Sequence, residues 1–404
     1  MNTLILRPFS KGFLSQFVWI PKIQPFTNKE ILSLDRELSE YEQVFLNPDI
    51  ERNLISKNEL LASFAISKAE DSHLTLPEAQ DVYNLLISDP DYDFVAKLLK
   101  ARVKLTQKDY DQLEFFNIAK TFRNLNQQPI KIAELTPEKI KKLHQNLTQG
   151  LDLFQKYLSD FTVYRSGKWR DNNMIRVGSY TPAPYEEIES GVKELIDWLQ
   201  KHQTVDGVAI FHTALYGLHA FNNGNKRVCR SLEHVLLRSL GINGKNLYST
   251  SYYYHKQKAR YYKYLLYSLE RKNLNHFVNF VLEALVLSII GVVKTSLETK
   301  RNEFIGRLEL ELEGQIPVVL KPFIKRSEIQ FKNLAKATRG KIARQTLVTY
   351  LQRAVDQDIL KKREAGRSTY YTLNFASPEL DTFKKWLGFA GKRLVYIPDN
   401  MKLV

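Results

Sequence analysis

From Val208 to Arg230 the chain reads as an apolar helix, an Asn/Gly turn and a basic helix. That succession constrains the fold more than any other stretch. Val208 to Leu218 carries apolar residues at three- and four-residue steps, the helical spacing, and delivers His219 at its end. Ala220-Phe221-Asn222-Asn223-Gly224-Asn225 turns the chain, and the next helix carries Lys226, Arg227 and Arg230 near its start. A Gly/Asn turn that opens a helix exposes unpaired backbone N–H groups at the positive end of the helix dipole, which is an anion site. Arg227 and Arg230, three residues apart, share a face and can clasp neighbouring phosphates. A histidine beside such a cradle is placed to take a proton from an attacking hydroxyl. Each of these residues alone reads equally well as a cap, a solvated charge or, for Phe221, core. Their joint spacing points to the anion site.

The surrounding sequence is helical. Ile31 to Leu46, Ile140 to Leu147 and Ile188 to Leu199 repeat the same apolar spacing. Thr136-Pro137-Glu138 places a capping threonine before an N1 proline, and Thr75-Leu76-Pro77-Glu78 is a looser version. Between Ser166 and Tyr185 the glycines and prolines Gly167, Gly178, Pro182 and Pro184 sit among Ile175, Val177 and Tyr180, predicting a short hairpin or extended loop. Lys294 to Pro317 reads as a charged helix with a hinge at Gly314 to Pro322. A helix over Ile329 to Thr338 follows, then a turn at Arg339-Gly340 and a second helix over Ile342 to Val355. Two extended pieces, Ile359 to Arg363 and Ser368 to Leu373, are joined by Ala365-Gly366-Arg367. That is the order of a winged helix-turn-helix.

Charge separates these parts. The 404 residues carry a net +15, but residues 321–404 hold 18 Lys and Arg against 7 Asp and Glu. A basic C-terminal module on a nearly neutral body points to a polyanionic partner. The single cysteine, Cys229, excludes a disulfide framework and points to a reducing compartment. Arg7 and Lys11 interrupt the start as a secretory signal. The longest apolar run, Phe277 to Val293, is broken by Asn279, Glu283 and Ser288, so it reads as a buried helix rather than a span. The expectation is a cytoplasmic protein with no membrane partner.

The motif resembles that of the Fic/Doc (Fido) superfamily, H-x-F-x-(D/E)-G-N-(G/K)-R-x-x-R, with His219, Phe221, Gly224, Asn225, Arg227 and Arg230 in place. Ser166-Gly167-Lys168-Trp169-Arg170 looks like the start of the family's target-binding flap, and Ile175 to Pro184 resembles the flap itself. Ser251, Tyr254, Gln257, Tyr261 and Tyr262 fall at the spacing of the family's base-bordering helix. The resemblance covers roughly Ile130 to Leu287. It implies a mainly α fold: a Fic-type helical core with a small β-hairpin flap, plus the C-terminal winged helix-turn-helix. The divisions expected are an N-terminal helical region (1–129), the core (130–290), a helical linker (291–320), the winged module (321–377) and a tail (378–404).

The resemblance also implies an activity: transfer of AMP from ATP to a Ser, Thr or Tyr hydroxyl of a target protein. His219 would be the general base, the backbone at Gly224 and Asn225 the anion hole, and Lys226, Arg227 and Arg230 phosphate ligands. Tyr261 and Tyr262 would border the base, and the flap (Ile175, Val177, Gly178, Tyr180) would align the target by strand addition. Two positions depart from the pattern. Asn223 stands where an acid usually holds Mg²⁺, which weakens the metal. Lys226 resembles the Doc branch, whose members transfer phosphate. A phosphotransferase, or a catalytically weakened nucleotide-sensing, DNA-binding regulator, therefore stays open beside the adenylyltransferase. Glu59 to Leu76 resembles the family's inhibitory helix and makes Glu70 the inhibitory glutamate, bridging to Arg230. In the basic module Arg344, Gln345, Thr349 and Arg353 are the candidate DNA contacts. A second copy of the chain, as a homodimer, is the remaining partner expectation.

Overall fold

The computed structural model describes residues 4–45, 48–100, 104–159, 161–311 and 316–401. Gly314, where the expected hinge begins, lies outside them. The chain forms two compact units, Met1–Ser288 and Ile289–Val404, so the N-terminal 129 residues are part of the first unit rather than a region apart.

The first unit is built of α1 (Asn28–Phe45), α2 (Pro48–Lys68), α3 (Leu76–Ser88), α4 (Phe94–Lys100), α5 (Gln107–Gln127), α6 (Pro137–Thr148), α7 (Ile188–Lys201), α8 (Val205–Leu218), α9 (Asn225–Ser239), α10 (Thr250–Lys256) and α11 (Lys258–Glu270). The start of α12 (Asn275–Glu311) belongs to it as well. Local chemistry fixes many helix starts. The Thr136 side chain accepts from Lys139 N–H ahead of Pro137, and Thr75 with Glu78 closes a reciprocal capping box. Thr204 caps α8 in the same way.

Every residue of α8 is buried, so it is the axial helix of the unit, flanked by α7 and α9. Gly207 admits the preceding loop there, because a Cβ at that position would stand 2.3 Å from the His202 carbonyl oxygen. On the other side of α9, α2 and α5 pack together over a core that includes Leu60, Phe64, Phe115 and Phe116. Phe277 and the apolar residues after it are buried as well. By length and composition α12 could cross a bilayer, but 78% of its most apolar window lies inside the protein, the position of a core helix.

The second unit contains the remainder of α12, then α13 (Ile316–Leu320), β1 (Glu328–Gln330), α14 (Phe331–Ala337), α15 (Arg344–Asp356), β2 (Leu360–Ala365), β3 (Ser368–Leu373) and α16 (Pro378–Gly391). Its three strands form an antiparallel sheet ordered β1-β3-β2, with Leu360 opposite Leu373 and Ala365 opposite Ser368. Gly366 turns the hairpin at a positive φ of 58°. Leu334, Leu347, Leu351 and Tyr371 close one core between helices and sheet. Two details differ from the sequence reading. Residues 328–330 begin a strand rather than a helix, because they pair with Tyr370 to Thr372. The expected tail contains α16, started by Ser377, whose side chain accepts from Leu380 N–H.

Candidate active site

His219 ends α8 in the left-handed conformation, φ 50°, with its N–H returned to the Leu215 and Tyr216 carbonyls. The turn that follows is held from within. Asn225 Oδ1 accepts from Phe221 N–H, and its Nδ2 donates to the Phe221 carbonyl. The same Nδ2 lies 3.1 Å from Nδ1 of the His219 ring. Burial, helped by the Arg170 guanidinium, pushes the His219 imidazole down to about 4. It is neutral at pH 7, the state a proton acceptor needs.

Gly224 has φ 79° and precedes α9. A side chain there would be strained by the backbone and pressed on His144, 3.3 Å from Nε2. Its N–H, expected to face a phosphate, donates instead to Asn223 Oδ1 at 2.7 Å. The free N–H groups of the cradle are therefore those of the first turn of α9 itself, at Asn225, Lys226 and Arg227.

Asn223 offers this same Oδ1 as its oxygen donor, and the turn has no carboxylate. Among the described residues no group of three His, Cys, Asp or Glu converges on a metal-sized space. These residues do not fit a protein-held Mg²⁺, and no chemical step below passes through one.

Three cations of α9, Lys226, Arg227 and Arg230, face the end of α2 and the turn after it. Glu70 was expected on an inhibitory helix spanning 59–76. The structure ends α2 at Lys68 and puts Glu70 in the tight turn after it, followed by Asp71 at φ 62°. Among the described residues its ion-pair partners are Lys226 (Nζ to Oε2, 3.3 Å) and Arg227 (Nε to Oε1, 3.7 Å), rather than Arg230. Burial would raise its carboxyl, but Lys226, Arg227 and, more weakly, Arg230 outweigh burial and hold it below the usual carboxylate range. Lys226 also donates to the Ala69 carbonyl at 2.7 Å. Its ammonium, which burial alone would weaken, is held charged by Glu70. Arg230 donates to the Ala65 carbonyl. The last turns of α2 thus engage every cation of the cradle.

The helix expected to border the base is two helices, α10 and α11, broken at Gln257. Tyr261, expected at the base, is buried in the wall with its ring 4.2 Å from the Arg230 guanidinium carbon. Tyr262 is half-buried and donates to the Ala69 carbonyl. Cys229 is buried one position before Arg230.

The flap is an isolated antiparallel bridge, Val177 to Tyr180, closed by two 3.0 Å hydrogen bonds around Gly178 (φ 60°). Gly178 is exposed, Ile175 and Val177 are half-buried, and Tyr180 is anchored by its hydroxyl to the Gly217 carbonyl. Arg170 fastens the flap to the end of α8. It donates from Nε to the His219 carbonyl at 2.7 Å and from its Nη atoms to the Asn172, Ala183 and Leu218 carbonyls.

Sequence reasoning missed two residues. His144 stacks on Phe221 with ring centroids 3.8 Å apart. It joins the Gly167 N–H to the Asn223 carbonyl through its two ring nitrogens. Glu114 pairs with Arg227 from α5. Neither lies near the motif in sequence; only the Pro137–Thr148 helix signal touches His144.

In the second unit Arg344, Gln345, Thr349 and Arg353 are exposed on α15. On β2, Arg363 is spent on Glu328 and Lys362 on Glu364.

The model of the Fic/DOC family matches residues 134–237. The protein adenylyltransferase fic-1 of Caenorhabditis elegans is 27% identical over 169 residues, 40% of this chain and 32% of that one. A probable protein adenylyltransferase of Aquifex aeolicus (strain VF5) is 25% identical over 156 residues, 36% of this chain and 45% of its own. The matched region is less than half the length of either relative. Among solved structures, a Fic family protein from Desulfovibrio desulfuricans G20 aligns with a TM-score of 0.49 at 17% identity, covering 88% of this chain and 99% of that one.

Proposed function

We propose, from the Fic/DOC family domain that this chain carries at residues 134–237, that the protein transfers AMP from ATP to a hydroxyl side chain of a target protein. The observation that carries this reading is a neutral, buried imidazole, His219, beside a helix start bearing Lys226, Arg227 and Arg230. A triphosphate seated on that helix start meets unpaired N–H groups and two guanidiniums. His219 takes the proton of the target hydroxyl as its oxygen attacks the α-phosphorus, and pyrophosphate leaves with the cradle holding its charge. Target chain laid along Val177–Tyr180 adds a strand to the flap, and Arg170 keeps that flap in register with His219. Glu70 occupies the cations the phosphates need, which supports its role as a brake that must leave before ATP is seated. A cytoplasmic location fits an ATP-dependent reaction with a buried free cysteine.

The test is incubation with ATP labelled at the α- or the γ-phosphate, for wild type, Glu70→Gly and His219→Ala. Label from the α-phosphate in Glu70→Gly, lost when His219→Ala is added, supports AMP transfer. Label from the γ-phosphate means phosphate transfer, the outcome Lys226 would favour. No label from either, in a protein that binds ATP, replaces the enzyme by a nucleotide-sensing regulator. One observation favours that second reading: Asn223 Oδ1 closes on Gly224 N–H rather than standing open for a metal. In it the helix–helix–hairpin order of the second unit serves as a DNA-binding winged helix, with α15 presenting Arg344, Gln345, Thr349 and Arg353.

A further inference from the structure

Arg227 is completely buried and meets two carboxylates from different segments. Glu70 approaches its Nε from the turn after α2, and Glu114 approaches its Nη1 from the middle of α5 at 3.4 Å. Its third nitrogen, Nη2, donates to the Tyr164 hydroxyl at 2.7 Å. Among the described residues Nε and Nη1 have no hydrogen-bond acceptor. Charge, not directed hydrogen bonding, holds Arg227 back, and two of its donors are left for an incoming oxygen anion.

Glu114 is likewise fully buried, and its hydrogen bonds come from neutral hydroxyls: Ser67 on α2 at 3.1 Å and Tyr110 on α5 at 3.3 Å. The charged groups around it are few. Arg227 faces it from α9 and Glu70 from the turn after α2. Asp111 lies beside it on α5, bonded to the backbone of His73. Tyr164 stands behind Arg227, and His144 on α6 is neutral. Lys226 and Arg230 flank Arg227 on α9; Lys226 is held by Glu70 and the Ala69 carbonyl, and Arg230 by the Ala65 carbonyl.

We propose that Glu114 is a positioning residue for Arg227, a second hold on the phosphate cradle beside Glu70, and that it gives up its charge by taking a proton from solvent when a nucleotide triphosphate occupies Arg227. The proposal rests on the nucleotide-binding reading above. Two buried carboxylates and a polyphosphate cannot share one guanidinium without repulsion in a low-dielectric site. Glu70 stands in a turn, whereas Glu114 sits in the middle of the packed helix α5, so protonation is its exit. Burial already pushes this carboxyl up to about 7 against the pull of Arg227, with Glu70 adding to the rise. A phosphate on Arg227 raises it further, so nucleotide binding takes up a proton and weakens as pH rises above neutrality.

The experiment is calorimetric titration of the full chain with ATP, in buffers of different ionisation enthalpy, from about pH 6 to about pH 8.5. It compares Glu70→Gly with Glu70→Gly/Glu114→Gln, so that ATP's own titration cancels. The expected result is proton uptake in the first protein that the Gln variant abolishes, and affinity in the Gln variant roughly tenfold tighter at about pH 8.5. Ser67→Ala, added to Glu70→Gly, removes one hydrogen bond to the carboxylate and should move the pH window upward. Equal proton uptake with and without Glu114, or a window that Ser67→Ala does not move, overturns the proposal. Absence of ATP binding in every variant overturns the nucleotide reading as well.

Discussion

Replacing Glu70 by glycine should open the cradle, and the size of the effect follows from the distances. At an effective dielectric near 20, unit charges 3.3 and 3.7 Å apart attract by roughly 5 and 4 kcal/mol. Desolvating a carboxylate and two cations consumes much of that, and removing one partner of such a buried set costs about 3–5 kcal/mol. Here the orphaned cations keep other partners: Lys226 retains the Ala69 carbonyl, Arg227 retains Glu114 and Arg230 retains the Ala65 carbonyl. The lower end, about 3 kcal/mol, is therefore the expectation. Two readouts should carry it with opposite signs. Without nucleotide, the first unit should melt roughly 5 °C lower, because Lys226 loses its carboxylate partner. With ATP the loss should reverse, and ATP should bind roughly a hundredfold more tightly than to wild type. Glu70→Gln, which keeps the volume and loses the charge, should behave like glycine in binding. Differential scanning fluorimetry and calorimetry on the three proteins measure both. If Glu70→Gly melts like wild type and binds ATP no more tightly, the carboxylate is not what closes the site and the reasoning fails.

Other perturbations test other links. Arg170→Ala removes the donor to four carbonyls at the flap base and should raise the KM for target protein at least tenfold while leaving ATP affinity within about threefold, read by steady-state kinetics and calorimetry. Acid should destabilise the first unit. His219 is held down to about 4, and His144 and His234 to about 3, so below pH 6.5 the unfolded chain binds protons that the folded one refuses. Stability therefore rises with pH between about 4 and 6.5; Glu114, raised to about 7, works the other way, leaving a net of roughly two protons, or about 3 kcal/mol per pH unit. Urea unfolding at about pH 5 and about pH 6.5 checks this, and a flat profile would contradict the buried neutral histidines. In the second unit, Arg353→Glu should lower the salt dependence of duplex DNA binding by about one to two in logarithmic slope, measured by fluorescence anisotropy.

The site was legible in sequence where its parts are contiguous. His219 to Arg230 is one helix end, one turn and one helix start, and caps and periodicity at that range are local physics. The Thr136 cap, the Thr75 capping box and the paired strands beyond Asp358 were readable for the same reason. What escaped is set by contacts between helices far apart in the chain. Nothing near Glu114 in sequence says that its carboxylate meets Arg227, 113 positions later. Glu70, expected to bridge to Arg230, has its ion-pair contacts with Lys226 and Arg227 instead. The pattern cannot show that α2 stops at Lys68, and that stop aims the carboxylate at Lys226 and Arg227. Tyr261 was misplaced for a similar reason. A break at Gln257 starts a new helix, which buries that ring under Arg230.

The two departures from the family pattern change the site's charge in the same direction. An asparagine in place of an acid at 223 removes a negative charge, and a lysine in place of glycine at 226 adds a positive one. The turn is therefore two units more positive than the pattern it resembles. A buried site cannot hold that excess unpaired. The structure places two buried carboxylates against it, Glu70 on Lys226 and Arg227, and Glu114 on Arg227. Neither carboxylate belongs to the motif; Glu70 meets the added Lys226 directly, and Glu114 lowers the positive charge of the cradle through Arg227. It follows that Asn223 and Lys226 do not by themselves mark a dead site. Restoring an acid at 223 alone would place a third carboxylate beside the cradle, and restoring glycine at 226 alone would strip Glu70 of its 3.3 Å partner. The coupling is measurable: ATP affinities of Asn223→Asp, Lys226→Gly and the double variant should depart from additivity by about 1 kcal/mol or more.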